Sequence, residues 1–224
     1  MSKYKDRIKE LPRVTLDAIS EVCRGMLPSE YRSRPWDLPY GDKNFAKIFD
    51  QEDQLNGYAA AYTNWHKGKL RIAFDHMPTD TFVGEIAVID WACGQGLATI
   101  FLHEYLEEKG YNCRIKEVIL IEPSEKALDR AKFIIEAIDS KIKVSTVNKK
   151  LDEVIDFDIK LFEKRKTVHL FSNIFDIQGI SLKHITENLL VNLSKNNYII
   201  CVSPYYQQVE SRYNTFLQYF QRPL

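Results

Sequence analysis

At 224 residues, the chain has room for one large domain, or one domain with a smaller appendage. Its 31 Lys plus Arg balance 31 Asp plus Glu, which excludes a nucleic-acid binder that works through bulk charge and leaves room only for a local basic patch. With 45% hydrophobic and 28% charged residues, disorder is excluded as a description of the whole chain.

The N-terminus, MSKYKDRIKELPR, is charged throughout and has no apolar core of a signal peptide. The longest apolar runs, such as 198–202, are strand-length and far short of the roughly 20 residues that a membrane-spanning helix requires. Cys23, Cys93, Cys113 and Cys201 lie far apart, with no CxxC pair and no histidine at zinc spacing. No metal site is implied, and a reducing cytoplasm is the expected setting. Zero net charge favours self-association, so a homo-oligomer or a larger assembly is an expected state.

Residues 1–80 read as a helical N-terminal extension. Thr15 caps a helix whose Leu16, Ile19, Val22, Cys23 and Met26 share a face before Pro28 ends it. A loop with Pro35, Pro39 and Gly41 comes next. Asp42 then opens a long helical stretch through Phe45, Ile48, Phe49, Leu55, Tyr58, Ala59 and Tyr62, which Gly57 can bend or split. Leu70, Ile72, Phe74 and Met77 continue it toward Pro78. Such an extension cannot close a core alone and is expected to pack on the remainder of the chain, with Tyr62, Trp65 and His66 as candidates for a lid.

From residue 81 onward the period changes. Strand patterns at 86–90, 117–121, 141–147, 167–171 and 198–202 alternate with helical patterns at 98–108, 125–138, 181–193 and 207–220, and a short helix is expected near 151–157. This alternation predicts a doubly wound α/β domain with a mostly parallel sheet covered on both faces. Ligands of such sheets bind at the carboxyl ends of the strands, so the residues just after each strand carry the information.

After the first strand comes Asp90-Trp91-Ala92-Cys93-Gly94-Gln95-Gly96. Two glycines one residue apart allow a sharp turn and a close approach of backbone to ligand. The dinucleotide fingerprint would need a third glycine where Thr99 stands, and Asp90 would repel a pyrophosphate. The second strand ends in Glu122-Pro123-Ser124, an acid where ribose hydroxyls are read in nucleoside-binding sheets.

The segment VIDWACGQGLATIFL resembles the first motif of the class I, Rossmann-like S-adenosylmethionine-dependent methyltransferases, written D-x-A-C-G-x-G, and EPSEKALDRA is similar to that family's second. The likeness runs over roughly residues 85–206. It implies S-adenosyl-L-methionine as cofactor and a strand order of 3-2-1-4-5. Asp90, Ala92, Gly94 and Gly96 would surround the methionine portion, and Glu122 with Pro123 the ribose. Asn148, after the third strand, would meet the adenine edge, and Asn173, after the fourth, would line the pocket, with Asp176 as a base or a loop cap. Tyr205 and Tyr206, after the fifth strand, and His66 would meet the substrate. The family's sheet has seven strands; here the edge hairpin is missing, so a truncated domain, or an edge covered by the extension or a partner, is expected.

The function expected is methyl transfer to an unidentified acceptor, with nucleic acid permitted but not indicated by the charge. The alternatives are a catalytically silent cofactor-binding or scaffold module and, from a third class, a nicotinamide-dependent oxidoreductase.

Overall fold

The computed structural model describes residues 2–38, 48–160, 165–177, 179–186, 196–204 and 207–220. The fold is α/β, built on five parallel strands in the order β3-β2-β1-β4-β5. In chain order, β1 spans Gly84–Trp91, β2 Cys113–Ile121, β3 Lys143–Val147, β4 Lys166–Ser172 and β5 Asn197–Val202. The central strand reads as a continuous apolar run because helices cover both faces of the sheet; Ile86–Trp91 are all buried. Its register sets Asp90 beside Leu120 of β2 and Leu170 of β4, so its carboxylate lies deep among hydrocarbon neighbours at the carboxyl end of the sheet.

Alternation along the strands divides the core in two. Val88, Val118, Leu120, Val168 and Leu170 face one side, where they meet helices α1 (Ser2–Lys9), α2 (Leu16–Met26), α3 (Glu52–Asp75), α4 (Leu97–Glu108) and α5 (Glu125–Ile138). Ile89, Trp91, Ile119, Ile121 and Phe171 face the other, under Leu182 and Ile185 around α6 (Leu182–His184) and Val209 and Phe216 of α7 (Gln207–Phe220). Tyr4, Ile8, Leu16, Ile19, Leu70 and Phe74 belong to the same cluster as the strands, so the N-terminal helices are one wall of the domain's core. Among the described residues no helix is long and apolar enough to cross a membrane.

Local chemistry sets the helix ends. Thr15 Oγ1 accepts the Ala18 N–H at 3.2 Å, and Ser124 Oγ accepts the Ala127 N–H at the same distance. α3 begins at Glu52, with Gln51 and Gln54 in a reciprocal cap, rather than at Asp42. Asp42 and Phe45 lie outside the described residues, and Ile48–Asp50 are not helical. Gly57 does not split α3, which runs unbroken for 24 residues and buries Leu55, Gly57, Ala59 and Leu70. The expected helix at 151–157 is two short 3₁₀ turns, Leu151–Glu153 and Asp156–Asp158. Of the helix expected at 181–193, residues 187–193 lie outside the described residues.

Candidate functional site

The turn after β1 uses the left-handed region three times. Ala92 has φ +51°, Gly94 +53° and Gly96 +74°. A left-handed conformation costs an L-residue roughly 1–2 kcal/mol, and alanine is the smallest side chain to bear it. The two glycines have different tasks. A Cβ on Gly96 would lie 3.0 Å from the Ala131 Cβ of α5, so this glycine exists for the contact between the turn and α5. A Cβ on Gly94 would meet nothing within 4 Å, so there the backbone faces open space. The motif gives both glycines to ligand approach; in the structure Gly94 borders open space and Gly96 also packs against α5.

Asp90 lies directly beneath this turn and is 1% exposed. Its Oδ2 accepts the Thr99 hydroxyl at 2.7 Å, while Oδ1 is buried with no hydrogen-bond partner. Burial pushes its carboxyl up to about 7 against the Thr99 hydrogen bonds, and the Glu122 charge adds to the rise. Glu122 follows β2 and faces the same turn. Its Oε2 accepts the Gly94 N–H and its Oε1 the Ser124 N–H, both at 3.0 Å. Desolvation raises Glu122 as well, opposed by those two backbone donors. Among the described residues no lysine or arginine contributes to either shift. Two carboxylates thus face one glycine turn with no countercharge among the described residues. The Cys93 thiol between them is driven further up by burial and by both carboxylates, which removes it as a nucleophile.

Asn148 is exposed, and its Nδ2 donates to the carbonyls of Glu122 and Pro123 at 3.0 Å each. The side chain clasps the loop that carries Glu122. Ser124 Oγ donates to the Phe49 carbonyl, which ties the segment before α3 to the same loop.

At the end of β4, Asn173 sits at φ +57° and gathers a second cluster. Its Oδ1 accepts from Lys69, and its Nδ2 donates to His66 Nδ1 at 2.7 Å and to Ser172 Oγ at 3.3 Å. With Nδ1 accepting, the His66 Nε2–H points to the Tyr58 oxygen at 3.0 Å, a tautomer assigned from the network. Burial, aided by Lys69, lowers His66 to about 3, so the ring is neutral at physiological pH. Its neighbour Trp65 is 73% exposed, whereas His66 is buried. Asp176 is partly buried, with Oδ1 unpartnered. Tyr205 and Tyr206 lie outside the described residues.

Arg130 is the residue that sequence reasoning missed. It lies fully buried on α5 between Ala127 and Ile134, in the middle of an apolar stripe, and that position was the available signal. Its Nη1 donates to Asn56 Oδ1 at 2.9 Å and to Gln95 Oε1 at 3.0 Å; Nη2 pairs with Glu52, and the guanidinium lies 4.0 Å from the Tyr4 ring centroid. Gln95 stands between the two glycines and donates through Nε2 to the Leu55 carbonyl at 2.9 Å. The glycine turn is therefore held by α1, α3 and α5 together.

No protein-family model matches the chain, and no curated protein matches it. Solved structures do show likeness. An S-adenosylmethionine-dependent methyltransferase from Leishmania major has a TM-score of 0.46 at 12% identity, over 83% of this chain and 74% of that one. A geranyl diphosphate methyltransferase gives 0.38 at 16% identity, over 63% and 46%. A small RNA methyltransferase gives 0.40 at 16% identity, over 70% of this chain and 18% of that one. All three TM-scores lie below 0.5, and the chemistry of the site is read from its own residues.

Proposed function

We propose that this chain binds S-adenosylmethionine at the carboxyl ends of β1 and β2 and is a methyltransferase acting on an acceptor at the ends of β4 and β5. The single observation behind this reading is the pair of buried acids Asp90 and Glu122 at an open glycine turn, with no cationic partner among the described residues. A buried carboxylate with one unsatisfied oxygen favours a ligand that brings positive charge and N–H donors, and it disfavours a pyrophosphate. An amino acid sulfonium fits that demand; a nicotinamide dinucleotide does not.

The residues present suit such a cofactor. Asp90 Oδ1 would take the ammonium, directly or through water, and Gly94 gives the methionine portion room that a side chain would fill. Glu122 is presented to the ribose hydroxyls with its rotamer fixed by two backbone N–H groups and its loop by Asn148. When bound, the cofactor supplies an electrophilic methyl group, which leaves its sulfur as a neutral thioether. The chain's own contribution is orientation: the Arg130 network fixes the glycine turn, and the His66–Asn173–Lys69 network fixes the end of β4.

A silent cofactor-binding module is a second reading, favoured by one observation. Asn173, His66, Tyr58 and Lys69 satisfy one another, so none of the four stands as a ready base. Calorimetric titration with S-adenosylmethionine and S-adenosylhomocysteine tests the shared part of both readings. Saturable binding that Asp90→Ala and Glu122→Ala weaken supports a cofactor site; absence of binding by folded protein rejects both. Methyl transfer in an acceptor screen then separates enzyme from silent module.

A further inference from the structure

Beside the end of β4, a cleft of about 410 Å³ runs between α3, the end of β5 and α7. Its size is that of a small-molecule site, near the lower end of the usual range of roughly 300–1,000 Å³. The walls are largely hydrocarbon: Ile72 from α3, Val202 from β5, and Val209 with the Tyr213 ring from α7. Ile72 is 64% exposed, an aliphatic side chain that the fold itself leaves uncovered at the cleft.

Its polar groups are few and unevenly placed. Lys69 lies at the side shared with Asn173 and is half-buried. No carboxylate among the described residues forms an ion pair with it; its hydrogen bond goes to the neutral amide of Asn173. Desolvation lowers its basicity, and the Asp176 charge only partly offsets this. Ser203 also lines the cleft, and its Oγ is buried with no partner. Glu210 also lines the cleft, and it is exposed to solvent, which screens its charge from a ligand more than it does that of the half-buried Lys69. A desolvated ammonium without an ion-pair partner, next to an unused hydroxyl, is a receptor for an acidic group.

We infer that this cleft binds a small organic acid with an apolar body, its acidic group held by Lys69 and Ser203 and its body laid against Ile72 and Val209. On the methyl-transfer reading, on which this assignment of role rests, that acid is the acceptor. Lys69 is then a specificity-determining residue supplied by the N-terminal extension, since the same side chain touches both the cleft and the cluster at the end of β4.

The test needs no natural substrate. Naphthalene-2-carboxylate and its uncharged amide are titrated into methyl-labelled protein, with and without S-adenosylhomocysteine, and followed by NMR at the Ile72 and Val209 methyls. The carboxylate should bind at those methyls at least tenfold more tightly than the amide. Lys69→Met should erase the preference, and Lys69→Arg should retain it. Equal binding of acid and amide, shifts confined to other methyls, no binding of either probe, or a preference that survives Lys69→Met would each overturn the inference. The wild-type comparison of acid with amide stands even if a variant fails to fold. If the acid preference appears but S-adenosylhomocysteine does not bind, the methyl-transfer reading falls and the ligand class of the cleft stands. If S-adenosylhomocysteine binds but the acid preference is absent, the reverse holds.

Discussion

The two ends of the sheet's functional edge are built in different ways. At β1 and β2 the groups come from short stretches of chain: Asp90, the glycine turn and Thr99 lie within ten residues, and Glu122 reaches the turn through a backbone N–H. At β4 and β5 the groups come from far apart, since Asn173 meets His66 across 107 residues and Lys69 across 104. Among the described residues the first region offers its carboxylates no cationic partner. The second joins Asn173, His66, Tyr58 and Lys69 to one another and turns Lys69 and Ser203 toward a cleft. On the proposed reading, a cofactor site is written locally in the chain, whereas the place of the acceptor is framed by tertiary contacts with the extension.

Breaking the frame that joins the two regions should have the largest effect. Arg130→Met removes one partner each from Glu52, Asn56 and Gln95 and the ring contact with Tyr4, so a loss of about 2–4 kcal/mol is expected in urea unfolding, below that of a fully buried pair because Glu52 is partly exposed. Next come the glycines, which should separate. Gly96→Ala meets Ala131 at 3.0 Å and adds backbone strain, so roughly 1–3 kcal/mol of stability should be lost. Gly94→Ala carries only the strain, about 1–2 kcal/mol, yet should reduce affinity for S-adenosylhomocysteine more than Gly96→Ala does, as paired melting and calorimetric curves would reveal.

A smaller, pH-dependent effect belongs to Asp90. Its folded value, raised to about 7, lies above that of the unfolded chain, so the folded state holds a proton that the unfolded state releases. The corresponding stability is present below about pH 4 and is lost as pH rises toward 7. Chemical denaturation between pH 5 and 8 should show this slope in the ligand-free protein, and Asp90→Asn should flatten it. The smallest effect is expected at His66. Held neutral with its carboxylate-free partners, it should show no titration between pH 5 and 8 in NMR spectra of the ring.

The same contrast explains how much of the molecule is legible in its sequence. The unbroken apolar run of β1, the GxG turn and the acid after β2 are local patterns that placed Asp90 and Glu122 at strand ends, while the strand order 3-2-1-4-5 came from the resemblance those motifs carry. The expected helix does not run through residues 48–50, where apolar spacing at Ile48 and Phe49 mimics a helix and the Gln51–Gln54 cap decides where α3 begins. Gly96 and Gly94 look identical in sequence; only the approach of Ala131 separates them. Arg130 did leave a trace, a charge within the apolar stripe of α5, but its four partners are set by packing. Lys69 left none, since a lysine on a helix gives no hint that it will face a cleft beside β5.

The central claim is that Asp90 awaits a positive ligand, and it is most directly tested by counting protons. Calorimetric titration of S-adenosylmethionine near pH 7, repeated in buffers of different ionisation enthalpy, should reveal a net release of protons on binding, because a cationic ligand favours the ionised carboxylate. That release should vanish in Asp90→Asn, together with at least a tenfold loss of affinity. Binding without proton release, or a release that Asp90→Asn leaves intact, would contradict the account.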